Sequence, residues 1–288
     1  MIDLHTHTNN SDGNISVTNL LKEAEKLNLD YISITDHNNI DAYKELQSKK
    51  IRNLFSGKII PGIEITTSFN GEIIEVLGYN FDIAVMSKLL KEKVLTFKQL
   101  REKEYELIKN QYRKIGVKFQ EENIKFDPCI SSCRRYFLNE IIKYTENNKF
   151  FLFEKSKGSN IFFTRDEVYN PKSKLYVDET KLFLTLEETI KLIHDANGLA
   201  FFAHAFIYSE DTIKNIEKII TEYNFDGIEC FHTTFTNENS KYLIRLCNKY
   251  DLYKSGGSDY HGSKRKDYIL GTVNKNQHIE KDIIKDWQ

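Results

Sequence analysis

The chain alternates between short apolar segments typical of buried strands and longer amphipathic segments typical of helices, and this alternation constrains the fold most. Residues 31–35 and 199–204 are strand-like, and a helical pattern with Ser16 as its N-cap covers residues 16–27. Repeated strand–helix units predict an α/β barrel whose active face is formed by the loops that follow the strands. The full set of predicted strands is 2–7, 31–35, 58–65, 72–79, 199–204, 226–232 and 252–255.

A long, charged region interrupts the alternation after residue 82. It is rich in Lys and Glu at i,i+4 spacing, a pattern typical of solvent-exposed helices. We therefore expect a barrel built from residues 1–82 and 185–288, with a mostly helical cap inserted at 83–184.

Bulk composition excludes several classes of protein. The 41 Lys and Arg residues nearly balance the 42 Asp and Glu residues, so no global charge marks a nucleic-acid coat or a membrane binder. The sequence contains no secretory pattern and no apolar run long enough to span a bilayer. The four cysteines form no disulfide framework, which favours a cytoplasmic protein with free thiols. The sequence implies no stable protein partner.

Side chains that bind metals follow several of the predicted strands. His5 and His7 lie two apart on a strand and therefore point to the same face. An isolated His-x-His pair, or one histidine at a strand end, is more often structural. Here the pattern recurs at one end of several strands, where barrel topology brings side chains together, and this recurrence favours a metal site. The residues concerned are His5, His7, Asp36, His37, His204, Asp259 and His261, with Glu64 and Glu75 nearby.

These fragments together resemble the signature motifs of the polymerase and histidinol phosphatase (PHP) superfamily of metal-dependent phosphoesterases. Within it, the chain is most similar to the branch with a helical insertion that acts on nucleoside 3′,5′-bisphosphates and the 5′ ends of short RNA. Similar segments extend from residue 2 to about residue 272. The motifs are Asp3-Leu4-His5-Thr6-His7, Thr35-Asp36-His37, Pro61-Gly62-Ile63-Glu64, Leu77-Gly78-Tyr79, Ala203-His204 and Gly257-Ser258-Asp259-Tyr260-His261-Gly262.

The resemblance implies a distorted (β/α)7 TIM-like barrel that holds three divalent metal ions. By position, Glu64 would bridge the first and second metals. The implied ligands are His5, His7, Glu64 and Asp259 for the first metal, Glu64, His204 and Glu75 for the second, and Asp12, His37 and His261 for the third.

Two positions depart from the family pattern. Glu75 stands where the family usually has a histidine, and Ala205 stands where proline is common. A carboxylate oxygen is a harder ligand than an imidazole nitrogen and therefore favours Mn²⁺ or Fe²⁺, with Zn²⁺ as a further candidate. The alternatives are a weakened second site, or a Glu75 that is simply a strand glutamate. Position 205 affects loop geometry rather than chemistry.

The predicted chemistry is hydrolysis of a phosphate ester by a metal-bridging hydroxide, since no protein nucleophile with its activating partners is evident. His261 or Asp36 would assist proton transfer, although Asp36 also fits an orienting role. The resemblance places Arg134 and His232 near the substrate phosphate. A solvated Arg134 and a structural His232 are the alternatives.

Three functions follow from these observations. The first is a phosphatase or 5′-exonuclease acting on 3′,5′-bisphosphorylated nucleotides or short RNA, and the inserted segment favours it because a second phosphate needs a clamp. The second is a phosphomonoesterase acting on a small metabolite such as histidinol phosphate. The third is a degenerate, non-enzymatic binding module, against which the nearly complete ligand set argues.

Overall fold

The structure is a computed structural model that describes residues 1–129, 132–274 and 277–287. The chain forms two compact units, one of Met1–Val94 with Leu184–Gln288 and the other of Leu95–Phe183. Every strand that the structure describes lies in the first unit, hereafter the barrel unit. The second is the inserted unit. The predicted boundary after residue 82 precedes a helix, Ile83–Lys93, that the structure groups with the barrel unit.

The strands of the barrel unit confirm the predicted barrel. Their order around the sheet is β1-β2-β3-β4-β6-β7-β8, and the short β5 pairs with β3. The sheet nearly closes where the amide of Leu4 donates to Gly256 O (3.1 Å) and that of His7 donates to Tyr260 O (2.8 Å). The strands are β1 (Ile2–Asp3), β2 (Tyr31–Ile34), β3 (Lys58–Phe69), β4 (Glu72–Tyr79), β5 (Leu184–Thr185), β6 (Leu199–Phe202), β7 (Gly227–His232) and β8 (Tyr253–Gly257).

One strand runs against the others. β3 and β4 form an antiparallel hairpin, and β4 then pairs antiparallel with β6, whereas strand–helix alternation predicts a parallel sheet here. The cause is the two-residue turn Asn70-Gly71, whose φ angles of +48° and +82° suit a tight hairpin and leave no room for a helix. The reversed strand delivers Glu75 to the same end of the barrel as the loops after the parallel strands.

The helices follow the predicted alternation, with local differences at the ends. Ser16 caps the first helix by accepting a hydrogen bond from the Asn19 amide, as its position predicts. Among the described helices, none is long and apolar enough to cross a membrane. The helices are α1 (Val17–Lys26), α2 (Ala42–Glu45), α3 (Lys49–Arg52), α4 (Ile83–Lys93), α5 (Phe97–Ile115), α6 (Arg134–Ile141), α7 (Asn160–Phe162), α8 (Leu186–Asp195), α9 (Glu210–Lys214), α10 (Ile216–Glu222) and α11 (Asn237–Tyr250).

The inserted unit has a helical framework and its own apolar core. Helix α5 begins with a capping box between Thr96 and Gln99 and ends at Gly116, whose φ is +81°. Its inner face packs on α6, where the ring of Phe137 lies 5.7 Å from that of Tyr112. Short 3-10 and π-helical turns connect the rest of the unit: Glu121–Asn123, Thr145–Phe150, Glu154–Gly158, Phe163–Val168 and Thr180–Leu182.

Aromatic side chains fill the interior of the barrel. The ring of Tyr79 packs against Phe201 (5.1 Å between ring centroids) and stacks on Trp287 (5.5 Å). The Tyr79 hydroxyl donates to Leu4 O at 2.9 Å, so the ring also ties β4 to the segment that leads to His5. These closely packed rings support the polar side chains at the strand ends from below and restrict their movement.

Candidate metal centre

The first predicted ligand set comes together at the mouth of the barrel. His5 and His7 are fully buried, with ring centroids 5.2 Å apart. Their Nε2 atoms lie 3.3 Å and 3.2 Å from Glu64 Oε2. They also lie 3.5 Å and 3.1 Å from Asp259 Oδ1. Two imidazoles and two carboxylates therefore lie close together. A divalent metal can be bound by such a set of nitrogen and oxygen donors.

The second set meets at the other oxygen of Glu64. His204 Nε2 lies 2.8 Å from Glu64 Oε1 and 3.2 Å from Glu75 Oε2. His37 Nδ1 lies 3.3 Å from both Glu75 Oε1 and Glu64 Oε2. Because the Glu75 carboxylate faces two histidines of the cluster, the geometry places it among the ligand candidates.

Asp12 is the centre of the third set. Its Oδ1 lies 3.0 Å from His261 Nε2 and 3.7 Å from both His7 Nδ1 and His37 Nε2. One donor atom from each of these four side chains lies within 4.8 Å of all the others. Since the Nδ1 atom of His261 contacts the carbonyl oxygen of Asp259 at 2.7 Å, its Nε2 atom is the one that faces the cluster.

Several buried nitrogen and oxygen atoms at the centre have no hydrogen-bond partner and could coordinate metal ions. Within the described part of the chain, both ring nitrogens of His7, the Nε2 atoms of His5 and His261, and Asp12 Oδ1 are buried without a hydrogen-bond partner. Buried polar atoms of this kind are costly unless something binds them. Imidazole nitrogens and carboxylate oxygens together suit Mn²⁺, Fe²⁺ or Zn²⁺.

Sequence reasoning missed Glu229, which contacts two of the ligand candidates at once. This fully buried carboxylate lies 2.7 Å from His5 Nδ1 and accepts a hydrogen bond from the His204 amide at 2.6 Å. His204 has φ +22°, a strained value for a residue other than glycine, and the Glu229 contact helps to hold it there. A glutamate inside the otherwise apolar β7 was the available sequence signal.

Two further buried acids hold the loops of the centre. Asp36 accepts hydrogen bonds from the Thr8 amide (2.7 Å), the Thr8 hydroxyl (2.6 Å) and the Ser11 hydroxyl (2.6 Å), and so fixes the loop between His7 and Asp12. These contacts suit the orienting role, and the catalytic role of Asp36 stays a prediction.

Asp3, the second of these acids, was not selected from the sequence. It accepts from the amide (2.9 Å) and hydroxyl (2.6 Å) of Ser258, next to Asp259, and from the Gly271 amide (2.7 Å). Burial raises the pKa of Asp3, and these hydrogen bonds oppose that effect.

Two side chains flank the carboxylate of Asp259. His232 Nε2 lies 3.5 Å from Asp259 Oδ2, and His232 Nδ1 lies 2.9 Å from the Thr234 hydroxyl. Arg265 Nη1 donates to the same Asp259 oxygen at 2.8 Å. His232 therefore lies beside the cluster, and its role near a substrate phosphate stays a prediction. Arg265 adds a cation that was not among the predicted site residues.

Arg134 lies at the start of α6, in the inserted unit. Its Nε lies 2.9 Å from Glu104 Oε1, and its Nη2 donates to Glu179 Oε2 at 2.7 Å. Its guanidinium carbon also lies 4.6 Å from the centroid of the Tyr169 ring. These contacts exclude a freely solvated Arg134. Its role in binding phosphate stays a prediction.

The charges of the centre shift the pKa values of its members. Although burial lowers the pKa of His7, its contacts with Asp259 and Glu64 raise that pKa to about 9. Glu64 and Glu75 likewise overcome burial and raise the pKa of His204 to about 10. The histidines in turn lower the pKa of Asp12 against the opposing effect of burial. Without metal, the cluster therefore holds protons that a metal must displace.

Comparison with known proteins identifies one family and several bacterial relatives. The family model described as the PHP domain matches residues 3–234. A 5′-3′ exoribonuclease of Haemophilus influenzae is 27% identical over 298 aligned residues, which cover 99% of this chain and 97% of that protein. A 3′,5′-nucleoside bisphosphate phosphatase of Chromobacterium violaceum is 23% identical and covers 90% of this chain and 87% of its own length.

A solved structure supports the fold. The crystal structure of a candidate metal-dependent phosphoesterase from Bifidobacterium adolescentis is 19% identical and superposes with a TM-score of 0.63. The match covers 99% of this chain and 94% of the other. The two chains therefore share one fold over almost their whole length.

Metal binding should release protons and tighten as pH rises. Because the pKa of His7 is about 9 and that of His204 about 10 in the metal-free protein, both are protonated at neutral pH and compete with the metal. Calorimetric titration with Mn²⁺ in two buffers of different ionisation enthalpy should show net proton release at pH 7.5, with affinity increasing up to pH 9. An affinity independent of pH over this range would contradict the assignment of His7 and His204 as ligands.

The substitution Glu229→Gln should weaken metal binding by about 10- to 100-fold, because the amide cannot accept from both His5 and the His204 backbone. Competition with a chelator measures the affinity. Glu238→Gln, at an exposed position on α11, is the matched control and should bind metal like the unaltered protein. Equal affinities in the two variants would show that Glu229 does not orient the ligands.

Proposed function

The chain belongs to the PHP domain family of metal-dependent phosphoesterases, and we propose that it removes the 3′-phosphate of nucleoside 3′,5′-bisphosphates and degrades short RNA from the 5′ end. The resemblance read from the motifs is thereby confirmed at the level of the family. The observation that carries the proposal is the convergence of two ligand sets on Glu64, which is 1% exposed, beside a third set centred on Asp12. The names of the Haemophilus influenzae and Chromobacterium violaceum relatives support the two substrate classes.

We propose that the centre holds three divalent ions, with Mn²⁺ preferred. The two oxygens of Glu64 face different histidines, a geometry that supports the bridging role. Glu75 makes the second set richer in carboxylate, and hard oxygen ligands favour Mn²⁺ or Fe²⁺ over softer metals. When bound, such ions lower the pKa of water and neutralise charge on a phosphoryl group.

The protein side chains would orient the reacting groups. His261 Nε2 faces Asp12, so we propose that His261 acts as a ligand first and that proton transfer to the leaving oxygen falls to another group. His232 lies beside Asp259 with its Nε2 pointing to the cluster, and this position supports contact with a phosphate oxygen. The assignment of Arg134 to a substrate phosphate rests on the motif resemblance, and its guanidinium pairs with Glu104 and Glu179 within the inserted unit.

We also propose that the enzyme works in the cytoplasm. The four cysteines carry free thiols, and three of them are buried: Cys133, Cys230 and Cys247. Cys230 and Cys247 face each other with their sulfur atoms 3.5 Å apart, without a disulfide. Reduced thiols at such a distance suit a reducing compartment.

A substrate panel tests the proposal. The Mn²⁺-loaded protein should release phosphate from adenosine 3′,5′-bisphosphate and mononucleotides from a short 5′-phosphorylated RNA, and it should leave histidinol phosphate nearly untouched. Glu64→Gln should lower both activities by at least about 100-fold, because the bridging charge is lost.

The outcomes separate the candidate functions. Hydrolysis confined to histidinol phosphate would reject the nucleotide proposal in favour of a metabolite phosphatase. A metal-replete protein that hydrolyses no ester of the panel would instead indicate a binding module. Glu238→Gln is again the control, since its exposed carboxylate contacts Lys241 on the surface of α11.

A further inference from the structure

A groove of about 490 Å³ lies in the barrel unit, and one of its lining residues, Arg265, contacts the ligand candidate Asp259. Helix α1 contributes Glu23 and Lys26 to its lining, and Leu27 follows directly after the helix. The other lining residues lie between 260 and 270, in the segment after β8. Tyr260, one of the lining residues, stands between the ligand candidates Asp259 and His261 in the sequence. The groove approaches the centre through two of its lining residues, since Arg265 contacts Asp259 and the ring of Tyr268 lies 6.0 Å from that of His232.

Arg265 connects the two regions. Its Nη1 donates to Asp259 Oδ2 at 2.8 Å, and its guanidinium carbon lies 5.2 Å from the ring centroid of Tyr268, which also lines the groove. The side chain is 39% exposed, so a part of the guanidinium is open to solvent. An arginine in this position can bind a phosphate oxygen beside the centre while it remains close to Asp259.

The groove is locally cationic although the chain as a whole has a formal net charge of −1. Lys26, Arg265 and Lys266 line it, against a single acidic residue, Glu23. The Glu23 carboxylate accepts a hydrogen bond from the Tyr260 hydroxyl at 2.8 Å and is thereby held to the wall. This excess of positive charge fits a polyanion.

Apolar and aromatic surfaces lie among the cations. Leu27 is 40% exposed and Ile269 is 50% exposed, and the half-buried ring of Tyr268 lines the groove with them. Single-stranded nucleic acid offers the matching pattern, because its phosphates pair with cations while its bases stack on flat apolar groups.

We propose that this groove binds the part of an RNA strand that lies 3′ to the scissile phosphate. The inference rests on the proposed function and adds to it a surface for substrates longer than one nucleotide. A nucleoside 3′,5′-bisphosphate has no such segment, so the groove distinguishes the two substrate classes.

The test compares the double variant Lys26→Glu/Lys266→Glu with Lys214→Glu/Lys241→Glu. The control makes the same change in charge at exposed positions of α9 and α11 outside the groove, where each lysine forms an ion pair with a glutamate of its own helix. The readout is kcat/KM for a 5′-phosphorylated tetraribonucleotide divided by kcat/KM for adenosine 3′,5′-bisphosphate. The groove variant should lower this ratio at least tenfold, through KM for the RNA, and the control should change it less than twofold.

Salt dependence gives a second readout. Loss of two phosphate contacts should make the slope of log kcat/KM against log salt concentration shallower by about 1.4 for the RNA, at about 0.7 per contact. Equal ratios in the two double variants, or an unchanged slope, would overturn the groove assignment. An unaltered enzyme that cleaves the bisphosphate but no RNA would also overturn it, whereas an enzyme that cleaves neither would refute the proposed function itself.

Discussion

The buried carboxylate of Glu64 is the constraint on which the rest of the centre depends. The Glu64 carboxylate is 1% exposed. Burial of such a charge destabilises the folded state unless cations or strong hydrogen-bond donors offset the lost hydration. Four histidines do so, since nitrogens of His5, His7, His37 and His204 lie 2.8–3.3 Å from its two oxygens. Although burial opposes the effect, the charges of these imidazoles lower the pKa of Glu64 well below its usual value. Protons and metals therefore compete for the same lone pairs.

The fold builds this cluster from loops, and three buried acids make the loops rigid. Asp36 fixes the loop after His7, Asp3 fixes the loop that carries Asp259, and Glu229 holds His5 and the backbone of His204. Each acid accepts at least two hydrogen bonds, so its burial is compensated. The positions of the ligand candidates thus depend on side chains that lie outside the candidate set.

Much of the centre was predictable because strand ends converge in a barrel. The strands that precede His5, His7, His204 and His261 can be recognised from their own apolar residues, and the barrel topology brings these histidines together.

The β3–β4 hairpin was missed because strand periodicity alone does not show whether two strands run parallel or antiparallel. The Asn70-Gly71 turn was the signal for an antiparallel pair. Pairings between distant residues leave no local pattern, which explains why sequence reasoning found neither the role of Glu229 nor the contact between Arg265 and Asp259. The ion pairs of Arg134 are hidden for the same reason, since both partners come from remote parts of the inserted unit.

We propose that the ligand candidates around Glu64 and Asp12 hold three metal ions. Anomalous diffraction at the manganese absorption edge, from crystals of the Mn²⁺-loaded protein, would locate these ions. We expect three peaks: one among His5, His7 and Asp259, one between His204 and Glu75, and one beside Asp12 and His261. Two peaks, with none between His204 and Glu75, would contradict the claim and show that Glu75 is a strand glutamate rather than a ligand.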